Sequence, residues 1–277
     1  MDLYNETCFE CSRVITNKYS TSFSLGIKAF DKRFHYPIYA IYGFVRYADE
    51  IVDTFSGFDT RQLIQTFRND TFQAIELGIS LNPVLQSFQQ VVNQYKIPLD
   101  LIDAFLCSME MDLSETVYDS EGYNTYIYGS AEVVGLMCLK IFCQNDDALY
   151  NRLTPPARRL GAAFQKINFL RDIRSDYEDR GRTYFPQVDF LQFTEEDKQA
   201  IEEDIFLDFQ EGLAGIKELP EGCRKGVYVA YTYYLELFKK IRNTPAATIT
   251  NSRVRVSDRR KMWLLAQALV KNRLNTL

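Results

Sequence analysis

Apolar residues recur at three- and four-residue spacing through almost the whole chain, which is the period of one helix face. Glycine (13 of 277 residues) and proline (8) are sparse, and the prolines fall between the periodic runs or at their starts. Asn82 followed by Pro83 reads as an N-cap with proline at the first helical position. Pro98 and the pair Pro155 and Pro156 are expected to open further helices in the same way. Thr194, followed by Glu195, Glu196 and Asp197, reads as a capped start with a negative first turn. The periodic segments cover 36–54, 60–79, 83–95, 98–113, 123–142, 156–179, 194–219, 224–242 and 258–275. No alternating strand pattern and no internal repeat interrupts them. No linker divides the chain, so the sequence predicts an all-α fold, a single-domain bundle of about ten helices over residues 1–277.

Two of these segments carry carboxylates on one face. In the first, Arg46, Asp49, Glu50 and Asp53 stand three or four residues apart and point the same way. The residues before them, Ile38, Ile41, Tyr42 and Val45, are apolar or aromatic. In the second, Gln165, Asn168, Asp172, Asp176 and Asp179 form one stripe of amides and carboxylates, flanked by Phe164, Ile167 and Leu170. Carboxylates inside a bundle are costly unless they are paired or bind metal. Two such stripes in one helical domain point to cations held between them. Mg2+ suits oxygen donors and is usually shared between a few carboxylates and substrate phosphates. His35 is the only histidine, so any metal here is held by oxygen.

Other classes are excluded by composition. The net charge of -5, with both signs spread along the chain, leaves no basic stripe for nucleic acid. No run reaches the ~18 apolar residues of a membrane span. The polar, acidic N-terminus is not a signal peptide. Cys8 and Cys11 form a lone CxxC without the further ligands that zinc needs. The six cysteines read as free thiols, most of them among apolar residues, which fits a reducing, cytoplasmic setting.

The ordered set of motifs resembles the squalene and phytoene synthase family over most of the chain. Tyr19, Ser20, Thr21, Ser22 and Phe23 are similar to its serine-rich diphosphate motif. Residues 42–53 and 168–176 resemble its two aspartate-rich motifs. Met109 to Leu113, the stretch Val133 to Met137, Arg180 to Pro186, the segment 234–241 and Arg253 with Val254 fit further signatures. Asn168, Arg171, Asp172 and Asp176 resemble the head-to-head condensing type rather than cyclases or chain-elongating enzymes. Three departures stand out: Thr21 where many members have lysine, Glu50 for a second aspartate, and Ser130, Ala131 and Glu132 for Val-Ala-Gly. The last falls beside the prenyl cavity and bears on the chain length accepted.

The resemblance implies a class I isoprenoid synthase fold with a central prenyl cavity. It implies Asp49, Asp53, Asn168, Asp172 and Asp176 as ligands of Mg2+, with Mn2+ as an alternative. Arg46, Arg171, Arg182 and Arg253 would neutralise diphosphate, helped by Ser20, Ser22, Gln165, Tyr42 and Tyr234. One diphosphate ionises, the double bond of the second substrate attacks, and a cyclopropylcarbinyl diphosphate forms. It ionises in turn, rearranges and loses a proton to give a conjugated triene. Tyr177, Tyr184 and the diphosphate itself are candidate proton acceptors. The expected reaction joins two geranylgeranyl diphosphates to phytoene, without NADPH. Squalene or dehydrosqualene synthesis from farnesyl diphosphate is the nearest alternative. Many squalene synthases carry a C-terminal anchor, which is not seen here. A non-catalytic assembly protein is the alternative of another class, opposed by two intact metal motifs. Long apolar substrates suit peripheral contact with the inner face of the membrane; 258–273, basic at its ends and apolar between, reads first as a packed terminal helix and second as the surface that would make that contact.

Overall fold

The computed structural model describes residues 1–255 other than 115, 187 and 252, and not the side chains of Ser22 and Arg180. The segment 258–275, with its expected helix and membrane-facing surface, lies outside the described residues. Among these the fold is helical throughout, apart from an isolated parallel bridge between Val117 and Thr183. Two helices precede the first periodic segment, α1 (Asp2–Tyr19) and α2 (Thr21–Lys28). Periodicity misses α1 because it buries only the narrow strip Cys8, Ser12 and Thr16. That strip packs closely: Ser12 shares a 2.8 Å hydrogen bond with Ser87 and sits against Gly43, where an added Cβ would stand 2.8 Å from the Ser12 hydroxyl.

The next helices are α3 (Lys32–Asp53), α4 (Thr60–Leu77), α5 (Pro83–Tyr95) and α6 (Leu99–Met111). Their shared core is aromatic. Phe44 stacks on Phe88 at 3.8 Å between ring centroids and also meets Phe67 and Phe105. Asn82 caps α5 as expected, accepting from the Val84 and Leu85 amides. The segment expected as one helix over 123–142 is α7 (Ser120–Ile127), a π turn (Tyr128–Glu132) and α8 (Val133–Cys143). The whole stretch Ser120–Cys143 is long and apolar enough to cross a membrane by length and composition, but 61% of its most apolar window is buried inside the protein.

Pro155 and Pro156 do not open a helix. They lie inside α9 (Asp147–Arg180), which starts about two turns earlier where Asp146 caps the Leu149 amide. Both prolines forfeit a helix hydrogen bond. The turn is held from outside: Gly215 of α10 (Glu195–Glu218) rests directly on Pro156. The cap at Thr194 is formed as expected, and the structure makes it a capping box, with Asp197 returning the bond. The described helices end with α11 (Glu221–Arg242) and the short α12 (Ala246–Ile249).

Helices α2, α3, α8, α9, α10 and α11, with the π turn, enclose a cavity of about 260 Å3. Its walls are apolar apart from Ser130, Gln165 and the thiol of Cys138. Glycines from five helices line it, so backbones supply part of the surface. At Gly226 the fit is tightest: a Cβ would stand 2.7 Å from the Gly26 carbonyl oxygen and 2.1 Å from the Phe30 ring. At Gly26 the nearest atom would be 3.7 Å away, an ordinary contact. Gly226→Ala is therefore expected to cost about 2 kcal/mol, lowering Tm by about 4–8 °C. Gly26→Ala should change Tm little. Equal losses in thermal denaturation would contradict this account.

Candidate active site

Helices α3 and α9 both change character along their length. On α3 the cavity-lining Ile38 and Val45 give way to Arg46, Asp49 and Asp53. On α9, Leu160, Phe164 and Gln165 give way to Asn168, Asp172 and Asp176. Each helix thus lines the apolar cavity with one stretch and carries its charges just beyond it.

On the α3 side, Arg46 pairs closely with Glu50 and lies 3.7 Å from Asp49. Its guanidinium sits over the ring of Tyr19, 4.5 Å from the centroid. Its Nε is buried without a hydrogen-bond partner. Ser20 caps α2, accepting from the Phe23 amide, and exchanges a hydrogen bond with Tyr42. Thr21 departs from the expected grouping. It faces a surface groove shared with Arg13, Asn17 and Lys28, on the side of α2 away from the cavity. The Ser22 side chain lies outside the description.

On the α9 side, Arg171 forks onto Asp172 through Nε at 3.0 and 3.1 Å and Nη2 at 2.5 Å. Arg253 reaches the same carboxylate at 2.6 Å. Asn168 donates to Gln165 at 3.3 Å and accepts from Tyr234 at 3.4 Å. Tyr234 is stacked on Phe164. Asp176 is buried near Tyr184.

Arg182 links the two sides. Gly181 ends α9 with φ +64°, a left-handed turn that glycine adopts without strain. The chain doubles back, and the Arg182 amide bonds the Asp176 carbonyl at 2.9 Å. Its guanidinium lies 3.8 Å from Asp53 and 3.1 Å from Asp112, and donates to Tyr184 at 3.4 Å. Asp112 is the residue that sequence reasoning left out of the site. It follows α6 directly, and Tyr126 donates to both its oxygens at 2.9 and 3.0 Å. The signature Met109 to Leu113 was the available signal, but spacing alone does not say that it meets Arg182, seventy positions on.

Burial pushes Asp49 up, to about 7. Arg46 opposes this, while Asp53, Asp112 and Glu50 add to it. The side chain keeps 32% exposure, so water offsets part of the penalty and the direction is what matters. Burial, then Asp112 and Asp176, also hold the Tyr184 phenol well above its ordinary value, so it stays protonated. Its ring stacks on Phe169 at 4.0 Å within a cluster that includes Tyr118 and Tyr126.

Among the described residues, no group of three or more acidic, cysteine or histidine side chains converges to hold a metal by itself. Mg2+ needs no such cage, because it is usually bound by one or two carboxylates with substrate phosphates completing the shell. The residues fit that pattern. The donors are hard oxygens on two faces, Asp49 carries the self-repulsion that a cation would relieve, and Arg46 keeps an unused N–H for an anion.

The all-helical bundle around an apolar cavity has the class I isoprenoid synthase fold, which the solved structures named below share. Residues 16–260 match the family model described as squalene/phytoene synthase, and the chain belongs to that family. It is 26% identical over 285 residues to a phytoene synthase of Rhodobacter capsulatus, covering 95% of this chain and 81% of that protein. It is 28% identical over 300 residues to 15-cis-phytoene synthase of Synechococcus elongatus, covering 96% and 94%. Among solved structures, a dehydrosqualene synthase in complex with ligand has the same fold, with TM-score 0.84 at 22% identity over 99% of this chain and 98% of that one. A squalene synthase from Alicyclobacillus acidocaldarius superposes with TM-score 0.76 at 20% identity over 87% and 95%.

The raised Asp49 makes a prediction for metal-free protein. Between its ordinary 3.8 and about 7 the native state holds a proton that the unfolded chain releases, so its contribution to stability falls as pH rises through that window. In EDTA, Asp49→Asn should melt above the wild type at about pH 8, with the margin closing toward about pH 4. A margin independent of pH would contradict the burial of this carboxylate.

Proposed function

We propose that this protein joins two geranylgeranyl diphosphates head to head to form phytoene, releasing diphosphate from each. The observation that carries the reading is the sharp boundary on α3 and α9 between an apolar cavity and two acidic, arginine-backed faces. Such a boundary suits a molecule with a long hydrocarbon tail and a diphosphate head. The bacterial phytoene synthases it resembles over most of their length support geranylgeranyl as the prenyl group.

Asp49 and Asp53 on one side and Asn168, Asp172 and Asp176 on the other would hold Mg2+, or Mn2+ in its place. Once bound, the metal neutralises diphosphate and makes it a better leaving group. Arg46, Arg171, Arg182 and Arg253 hold the diphosphate oxygens, a task to which forked guanidinium groups are suited. Tyr19, Tyr42, Ser20 and Tyr234 orient them by ring contact or hydrogen bond. In this reading Arg46 turns its spare Nε–H to phosphate. The tails lie in the cavity, which excludes the water that would quench allylic cations. Rings at its mouth, Phe23 and Phe164 among them, present faces that favour a nearby cation. Tyr184, kept neutral, serves as a hydrogen-bond acceptor rather than as a strong base. The released diphosphate is then the better-placed acceptor for the final proton. No step requires NADPH, and contact with the membrane surface serves substrate entry and product exit.

The decisive experiment incubates purified protein with Mg2+ and farnesyl or geranylgeranyl diphosphate, with and without NADPH, and identifies the lipid. Phytoene from geranylgeranyl diphosphate without reductant is the expected result. Squalene from farnesyl diphosphate, formed only with NADPH, would overturn the choice of substrate and product. Asp172→Asn should lower turnover by about a hundredfold or more while leaving the fold intact. EDTA should abolish activity and Mg2+ restore it.

Chain length should respond to the cavity wall. Cys138 borders the cavity, and burial pushes its thiol up to about 12, so it stays an uncharged wall group. Cys138→Phe would fill space that a longer tail needs. Its kcat/KM should fall for geranylgeranyl diphosphate by more than for farnesyl diphosphate. An unchanged ratio would place the tail elsewhere.

A further inference from the structure

Ser130 lies in the π turn, at the cavity wall. π turns often accompany functional sites, because the extra residue re-aims the side chains around it. Ser130 donates its single hydroxyl proton to the Tyr126 carbonyl at 2.7 Å. Toward the cavity it therefore offers lone pairs only. Gln165 must turn its amide nitrogen to Ser130, and it does so at 3.2 Å. That leaves Gln165 Oε1 facing along α9, where it accepts from Asn168 Nδ2 at 3.3 Å. Asn168 in turn has Oδ1 on the far side, where Tyr234 donates to it at 3.4 Å.

The three bonds made by the amides are long, and each contributes little energy. What the row carries is direction. An amide with no fixed neighbour has two nearly equivalent orientations that differ by exchange of oxygen and nitrogen. Here one hydroxyl proton, committed to a backbone carbonyl, selects the orientation of Gln165 and through it that of Asn168. Reversing Asn168 would turn an N–H2 group outward, which no cation accepts as a ligand.

We propose that Ser130 is a positioning residue for Asn168: through Gln165 it keeps the Asn168 carbonyl oxygen turned toward the metal–diphosphate site. The proposal rests on the reading of Asn168 as a metal ligand.

The test is calorimetric titration of the full chain with Mn2+ and inorganic diphosphate together, which reads binding without turnover. Ser130→Ala is expected to weaken binding about two- to fivefold, as the fraction of molecules with the correct amide orientation falls. Ser130→Thr, which keeps the hydroxyl, should bind like the wild type. Gln165→Leu should also weaken binding, and adding Ser130→Ala to it should cause no further loss, as expected when one residue acts through the other. Unchanged binding in Ser130→Ala, failure of Ser130→Thr to restore it, or additive losses in the double variant would each overturn the proposal. Asn168→Ala separates the two levels. If it weakens binding while Ser130→Ala does not, the relay fails and the ligand reading stands. If neither changes binding, the ligand reading fails with it.

Discussion

Carboxylates gathered beside an apolar cavity repel one another, and low local polarity strengthens that repulsion. Much of the structure around the cavity mouth answers this constraint with arginine. Arg46 sits against Asp49 and Glu50, Arg182 against Asp53 and Asp112, and Arg171 and Arg253 against Asp172. The left-handed turn at Gly181 brings Arg182 back to the site, and the bridge between Val117 and Thr183 fastens the returning strand beside Asp112. Removing the arginine from such a group leaves its carboxylates uncompensated, which costs more than the pair itself contributes. The acidic faces and the guanidinium groups are therefore one construction.

The balance is uneven between the two sides. Asp172 receives two guanidinium groups, whereas Asp49 has one that it shares with Glu50. In the proposed reaction the arriving diphosphate would compete with these carboxylates for arginine, and Asp49, Asp53 and Asp172, so released, would hold, together with Asp176, a cation that neutralises them. Arginine on both faces then lets the protein exchange one set of charge pairs for another without exposing the cavity to water.

The elements visible in the sequence are those whose partners lie nearby along the chain. Asp49 with Asp53, and Asn168 with Asp172 and Asp176, are legible because helical spacing alone puts them on one face. The caps at Asn82 and Thr194 are equally local. Asp112 with Arg182, and Ser130 with Gln165, are not legible, because each pair is assembled by folding from distant positions. Helix α1 escapes a search for apolar stripes because its packing face uses Ser12 and Thr16 in place of large apolar groups. The proline pair misleads for a related reason. Local preference marks a helix start at Pro155 and Pro156, while packing against Gly215 and the cap at Asp146 carry the helix through them. Thr21 shows the limit of motif reading: its neighbour Ser20 caps α2 beside Tyr42, while Thr21 itself turns away to the outer groove.

The π turn also sets an angular offset within one continuous rod. One surplus residue in a helix of 3.6 residues per turn rotates everything after it by roughly 100°. Ahead of the turn, Tyr123 and Tyr126 lean on the aromatic cluster of Phe169, Phe185 and Tyr184. Beyond it, Val134, Gly135, Cys138 and Leu139 face the cavity. A lineage that gained or lost a single codon here would swing one half of the rod against the other, exchanging the lining of the cavity for residues now packed outside it. Point substitutions can reshape this wall gradually, but its length in residues admits no gradual change.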